Sequence, residues 1–138
     1  MKLEIPQNLV ARITAAAAHA LPNECCGLIE GVREESGWRA LVLHETKNLA
    51  ENPHAHFLID PEVQFRLLRC LRGTEHEIIG CYHSHPEGEP TPSATDLASA
   101  SENGFLWLIA GRGDEVAAFV YREEEKDFAR VVLERIES

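Results

Sequence analysis

The segment Glu77-Ile-Ile-Gly-Cys-Tyr-His-Ser-His85 constrains the fold more than any other stretch of the chain. It is almost free of charge and too short for a helix, so it reads as a buried strand. Pro86 to Pro92 then forms a proline-rich loop, which a strand cannot enter. The strand therefore ends on two histidines, His83 and His85.

The flanking segments give an alternating α/β order. Pro6 opens a helix with Leu9, Ile13, Ala17 and Leu21 at four-residue spacing, and Pro22 ends it. Strands follow at about 24–33 and 38–46, joined by the turn Glu34-Glu35-Ser36-Gly37. A short strand at 57–59 leads into a helix over 61–71, stopped by Gly73. A small-residue helix is expected from Ser93 to Gly104, and three closing strands near 105–110, 115–121 and 128–135. No repeat, low-complexity tract or linker divides this order, so residues 1–138 are expected to form one domain.

Charge narrows the function classes. The formal net charge is −10, and the 13 Lys and Arg residues are scattered, so the footprint of a nucleic-acid binder is missing. The run Glu123-Glu124-Glu125 reads as a solvated turn. Apolar runs such as Phe105 to Ala110 fall far short of the roughly 20 residues of a membrane span. The opening Met-Lys-Leu-Glu-Ile-Pro lacks the apolar run and cleavage site of a secretory signal, which sets the expectation of a cytoplasmic protein. Cys25, Cys26, Cys70 and Cys81 show no C-x-x-C spacing and are expected as small buried side chains.

His83 and His85 are two residues apart on a strand, so both rings leave the same face and can converge on one ion. Zinc takes nitrogen ligands at about 2.0–2.1 Å in a tetrahedral shell, and Asp96, after the loop, can supply a third ligand. Three protein ligands with water in the fourth place is the pattern of a catalytic zinc, whereas structural sites close with four. Each piece alone has a blander reading. Ser93-Ala-Thr-Asp96 has the spacing of a helix cap, and a solitary His-x-His is more often two surface histidines. His54-Ala-His56, followed by Asp60 and Glu62, is a second such pair and is expected on the surface. Cys81 shares the face of His83, which keeps open a thiolate ligand or a Cys/His nucleophile.

The whole set, Gly80-Cys-Tyr-His83-Ser84-His85-Pro86, six residues, then Ser93-x-x-Asp96, resembles the signature of the JAMM (JAB1/MPN/Mov34) metallopeptidases. Pro22-Asn-Glu24-Cys-Cys-Gly27-Leu-Ile-Glu-Gly31 is similar to the family's first block. Asn48-Leu-Ala and Phe57-Leu-Ile-Asp60-Pro61 resemble the intervening segment of its small bacterial members. The resemblance implies a JAB1/MPN-like α/β fold, a curved mixed sheet flanked by helices, with zinc on His83, His85 and Asp96. It also implies Glu24 as general acid/base and Ser93 as a donor to the oxyanion. The implied reaction is hydrolysis of the amide after the carboxyl-terminal Gly-Gly of a ubiquitin-like or sulfur-carrier protein, in one form releasing cysteine. Such a narrow tail suits a groove beside a sheet edge. Relatives without the ligands serve as non-catalytic scaffolds, and here all the ligands are present.

Overall fold

The computed structural model describes residues 1–138. Seven strands and three helices follow in the order β1 (Lys2–Pro6), α1 (Gln7–Ala20), β2 (Cys26–Glu34), β3 (Gly37–Thr46), α2 (Pro61–Leu71), β4 (Glu77–Ser84), α3 (Ala94–Ser99), β5 (Leu106–Ala110), β6 (Val116–Arg122) and β7 (Asp127–Ile136). The strands close in the order β1-β3-β2-β4-β5-β6-β7. The expected curved mixed sheet is thus found to close on itself as a barrel.

Closure depends on β1, which sequence reasoning left outside any element. Lys2-Leu3-Glu4-Ile5 alternates over a stretch too short to weigh alone. Tertiary pairing decides it: β1 runs parallel to β7 from Lys2↔Val132 to Pro6↔Ile136, and to β3 from Lys2↔Gly37 to Glu4↔Arg39. Leu3 and Ile5 are wholly buried by that pairing. Beyond Arg39, β3 has no partner on the β1 side, so it keeps an open flank there.

β2 pairs antiparallel with β3 and β4, β4 runs parallel to β5, and β5-β6-β7 form an antiparallel meander. Neighbouring residues alternate between two apolar clusters. Ile29, Ile79, Leu108 and Ala118 belong to one, with Leu9, Val10 and Ile13 of α1. Each of those helix side chains contributes about 1.5–3 kcal/mol by leaving water. Leu28, Ile78, Ile109 and Phe119 belong to the other, against which Phe57, Ile59, Leu67 and Leu71 pack.

A bulge in β4 matters for the site. The partners of β2 step from Gly80 to Ile78, leaving Ile79 unpaired. The extra residue puts Ile78 and Cys81 in the same cluster and keeps His83 on that face. Opposite Tyr82 stands Gly27, where a Cβ would lie 2.4 Å from the Tyr82 ring. Only glycine permits that approach.

Two shorter elements differ from expectation. The segment at 57–59 is no strand but a single bridge between Asn48 and Ile59. α3 stops at Ser99, its final carbonyls taken by Ala100 in extended conformation, and residues 100–104 turn into β5. No helix is long and apolar enough to cross a membrane.

Candidate active site

The site forms where β4 runs out. Ser84 N donates to Cys25 O at 3.2 Å, and Cys25 N donates to Ser84 Oγ at 2.8 Å. Ser84 thus turns from the histidine face and fastens the segment before β2 to the end of β4. That bond, with Glu24 N donating to Pro53 O at 2.8 Å, carries Glu24 to the histidines. Its ligand atom and those of His83 and His85 all lie within 4.8 Å of one another.

The proline-rich loop brings in the remaining groups. It is held to the β5–β6 turn by Arg112 N donating to Gly88 O at 2.9 Å, and His85 N donates to Ala110 O at 2.8 Å. α3 then opens with a reciprocal cap: Asp96 N donates to Ser93 Oγ at 3.0 Å, and Ser93 N donates to Asp96 Oδ2 at 2.9 Å. The bland expectation of a capping box is therefore met, and the same carboxylate faces the histidines. Asp96 Oδ2 lies 3.2 Å from His83 Nε2 and 3.1 Å from His85 Nε2, and the two Nε2 atoms are 3.0 Å apart.

Protons are too few for this triangle. Glu89 O can only accept, so His85 Nδ1, at 3.1 Å, donates to it. The neutral ring then presents a bare lone pair at Nε2 to a carboxylate oxygen and a second imidazole nitrogen. Either an extra proton or a cation must lie among the three atoms, and the donor set of two imidazoles and a carboxylate suits a divalent metal. His83 is fully buried and its Nδ1 has no partner. Its ring is clamped instead by Phe57, stacked at 4.2 Å, with Trp107 at its edge.

Two carboxylates compete for the third ligand position, and electrostatics separates them. Burial pushes Asp96 up, but hydrogen bonds from His83 and His85 outweigh it and hold the carboxyl well below its ordinary range. Glu24 is pushed up to about 7, chiefly by burial, with His85 opposing and the Asp96 charge adding. Asp96 is the nearer and the ionised group, whereas burial favours the protonated form of Glu24. Burial drives His83 down; in His85 it is outweighed by the hydrogen bonds to Asp96 and Glu89.

Residues 6–128 match the family of prokaryotic homologs of the JAB domain. The chain belongs to that family. It is 30% identical over 118 residues to a desampylase of Haloferax volcanii, covering 86% of this chain and 84% of that protein. It is 29% identical over 112 residues to a CysO-cysteine peptidase of Mycobacterium tuberculosis, covering 81% and 75%. A solution structure of a Desulfitobacterium hafniense protein superposes with a TM-score of 0.80 at 26% identity, over 99% of this chain and 95% of that one.

The other candidates stay apart. His54 and His56 are exposed on the loop before α2. Cys81 is wholly enclosed, and burial, with the Asp96 charge adding, raises its thiol well above the ordinary value. Cys25 is likewise pushed up to about 11 by burial. Neither offers a thiolate nucleophile.

Sequence reasoning missed Phe57, Glu89 and Asn48. The Asn48 carboxamide donates to Glu24 O at 3.1 Å, Pro53 O at 3.3 Å and His56 O at 2.9 Å, and accepts from Ala50 N and Leu58 N at 3.0 Å each. Asn48 and Phe57 stood in segments that resemble the family, with no role attached to either side chain.

Proposed function

We propose that residues 1–138 form one zinc-dependent peptidase domain that hydrolyses the amide after the carboxyl-terminal Gly-Gly of a ubiquitin-like or sulfur-carrier protein. In this reading His83, His85 and Asp96 would hold the zinc. The observation that carries it is the triangle of two Nε2 atoms and Asp96 Oδ2, with sides of 3.0–3.2 Å. Tetrahedral ligands at about 2.0–2.1 Å from zinc stand roughly 3.3 Å apart. When bound, zinc supplies Lewis acidity, polarising the scissile carbonyl and bringing water's pKa to about 7.

Glu24 takes a proton from the attacking water and returns it to the departing amine, a role worth typically 10²–10⁴-fold. In the metal-free site burial pushes its carboxyl up to about 7, so the group can hold a proton there. Ser93 Oγ already accepts from Asp96 N, and its proton remains free to donate to the developing oxyanion. Phe57 and Trp107 hold His83 in place and keep water from its ring.

The substrate class is supported by the two relatives, one named a desampylase and the other a CysO-cysteine peptidase. The test is to incubate wild-type and Glu24→Gln protein, both zinc-loaded, with sulfur-carrier proteins extended past Gly-Gly, and to read intact masses. Cleavage after Gly-Gly by wild type alone is expected. Zinc-loaded wild type that leaves every carrier intact overturns the Gly-Gly reading and points to another amide.

A further inference from the structure

A cleft of about 410 Å³ opens beside Ser93, between α3 and the strands β6 and β7. Leu97 lines it from the helix, Phe119 and Phe128 line it from the sheet, and Asp127 and Arg130 complete it. We propose that this cleft is the subsite for the first side chain on the amine side of the scissile bond, and that Leu97, Phe119 and Phe128 select a large apolar residue there. The preferred substrate is then a carrier whose chain continues past Gly-Gly into a leucine-like or aromatic residue. This rests on the hydrolase reading above and narrows it.

The cleft belongs to the site by position. Ser93, whose hydroxyl serves the oxyanion in that reading, is itself in the lining. Phe119 lies in the same apolar cluster as Cys81, two residues before His83 on β4, and Phe128 packs against that cluster. The floor of the cleft is therefore the face of the sheet that carries His83. Trp107 joins the two places, meeting the His83 ring edge-on at a centroid distance of 5.8 Å and the Phe128 ring at 5.3 Å. Leu97 N donates to Ser93 O at 3.0 Å, which sets the leucine one helical turn along from the serine.

The Gly-Gly arm cannot fill this space. Its two residues carry no side chain, and they set the carrier's next one back by roughly 7 Å of extended chain. The first side chain to come within reach of Ser93 is thus on the amine side. Its chemistry follows from the lining. Leu97 is 36% exposed and Phe128 is half-buried, so an apolar side chain laid between them removes surface from water on both partners. Asp127 and Arg130 are exposed and of opposite sign, and the Arg130 guanidinium already lies over the Phe119 ring, 5.5 Å from its centroid. The pair favours neither an acidic nor a basic residue.

The experiment compares two probes on zinc-loaded protein: a sulfur-carrier protein extended past Gly-Gly by Leu-Ser-Ser, and the same protein extended by Ser-Ser-Ser. Wild type is expected to prefer the leucine probe about tenfold in kcat/KM, the scale of one aliphatic side chain in an apolar pocket. In Leu97→Ser the ratio should fall below about threefold, whereas Leu97→Met, which keeps an apolar wall, should retain most of it. Leu97 is exposed, so both variants keep the fold, and each ratio is read within one protein. A wild-type ratio of one, or a full preference in Leu97→Ser, overturns the apolar subsite while leaving Gly-Gly hydrolysis standing. Wild type inert on both probes overturns the hydrolase reading and this one with it.

Discussion

Asn48 Nδ2 donates to the carbonyl oxygen of Glu24 at 3.1 Å, and the same carboxamide holds the carbonyls of Pro53 and His56. Three carbonyls aimed at one amide make the position of Glu24 depend on a residue outside the triangle of His83, His85 and Asp96. Asn48→Asp keeps the shape but turns a donor into an acceptor facing those oxygens. The expected result is a loss of about 1–3 kcal/mol of stability together with a lower kcat, because the Glu24 backbone is released. Thermal melts and single-substrate kinetics check it. An Asn48→Asp protein with wild-type melting and turnover would remove the proposed positioning role.

Ser93 and Asp96 share the cap of α3, and their functions can be pulled apart. Ser93→Ala removes the oxygen that accepts from Asp96 N at 3.0 Å and should cost about 0.5–2 kcal/mol while zinc remains at one equivalent. In Asp96→Asn an amide oxygen can still accept from Ser93 N, so the cap persists, but the anionic ligand is gone. Zinc content should fall well below one equivalent. Metal analysis after dialysis reads both, and stoichiometric zinc in Asp96→Asn would rule out the ligand assignment.

The strand of Glu77 to Ser84, with His83 in it and His85 just past its end, was legible because period-two geometry is local. So was the cap at Ser93, which needs only four residues. Asp96 and Glu24 are a different matter. What brings Glu24 to His83 is a pair of hydrogen bonds between Cys25 and Ser84, 59 residues apart, one between backbones and one to the Ser84 hydroxyl, and no local pattern encodes such a distance. The barrel's closure was hidden for the same reason: β1 gains its identity from β7, more than a hundred residues downstream. Phe57 belonged to a segment read as a strand, and its value lies in packing on His83.

A second cluster of a carboxylate and histidines, away from His83, His85 and Asp96, sets an acid limit on stability. Glu30 accepts from His44 Nε2 at 2.8 Å and also bonds His76, tying β2 to β3 and to the entry of β4. Burial pushes Glu30 up, but the bonds from His76 and His44 prevail and hold it below its ordinary value of 4.5. A folded value below the unfolded one means stability that is complete above about 4.5 and is lost as pH falls through the folded value. Wild type should therefore lose melting temperature below pH 4.5 more steeply than Glu30→Gln. Parallel melting curves for the two proteins from pH 6 to pH 3 would show that the clamp carries no linkage.

Glu24 gives the opposite sign. Its folded value of about 7 exceeds the ordinary 4.5, so the metal-free native state binds a proton that the unfolded chain has released. Between those values stability falls as pH rises. The buried carboxyl thus destabilises the metal-free fold at alkaline pH, the cost of placing an ionisable group where water is scarce. Glu24→Gln removes the ionisation. Metal-free Glu24→Gln should melt above metal-free wild type at pH 8, and the two should converge near pH 4. Loading zinc should narrow the gap at pH 8, because a cation beside Glu24 favours its charged form. Calorimetric melts of dialysed and zinc-loaded protein across pH 4 to 8 read all three statements. A metal-free wild type as stable at pH 8 as Glu24→Gln would mean that Glu24 is already ionised there at little cost.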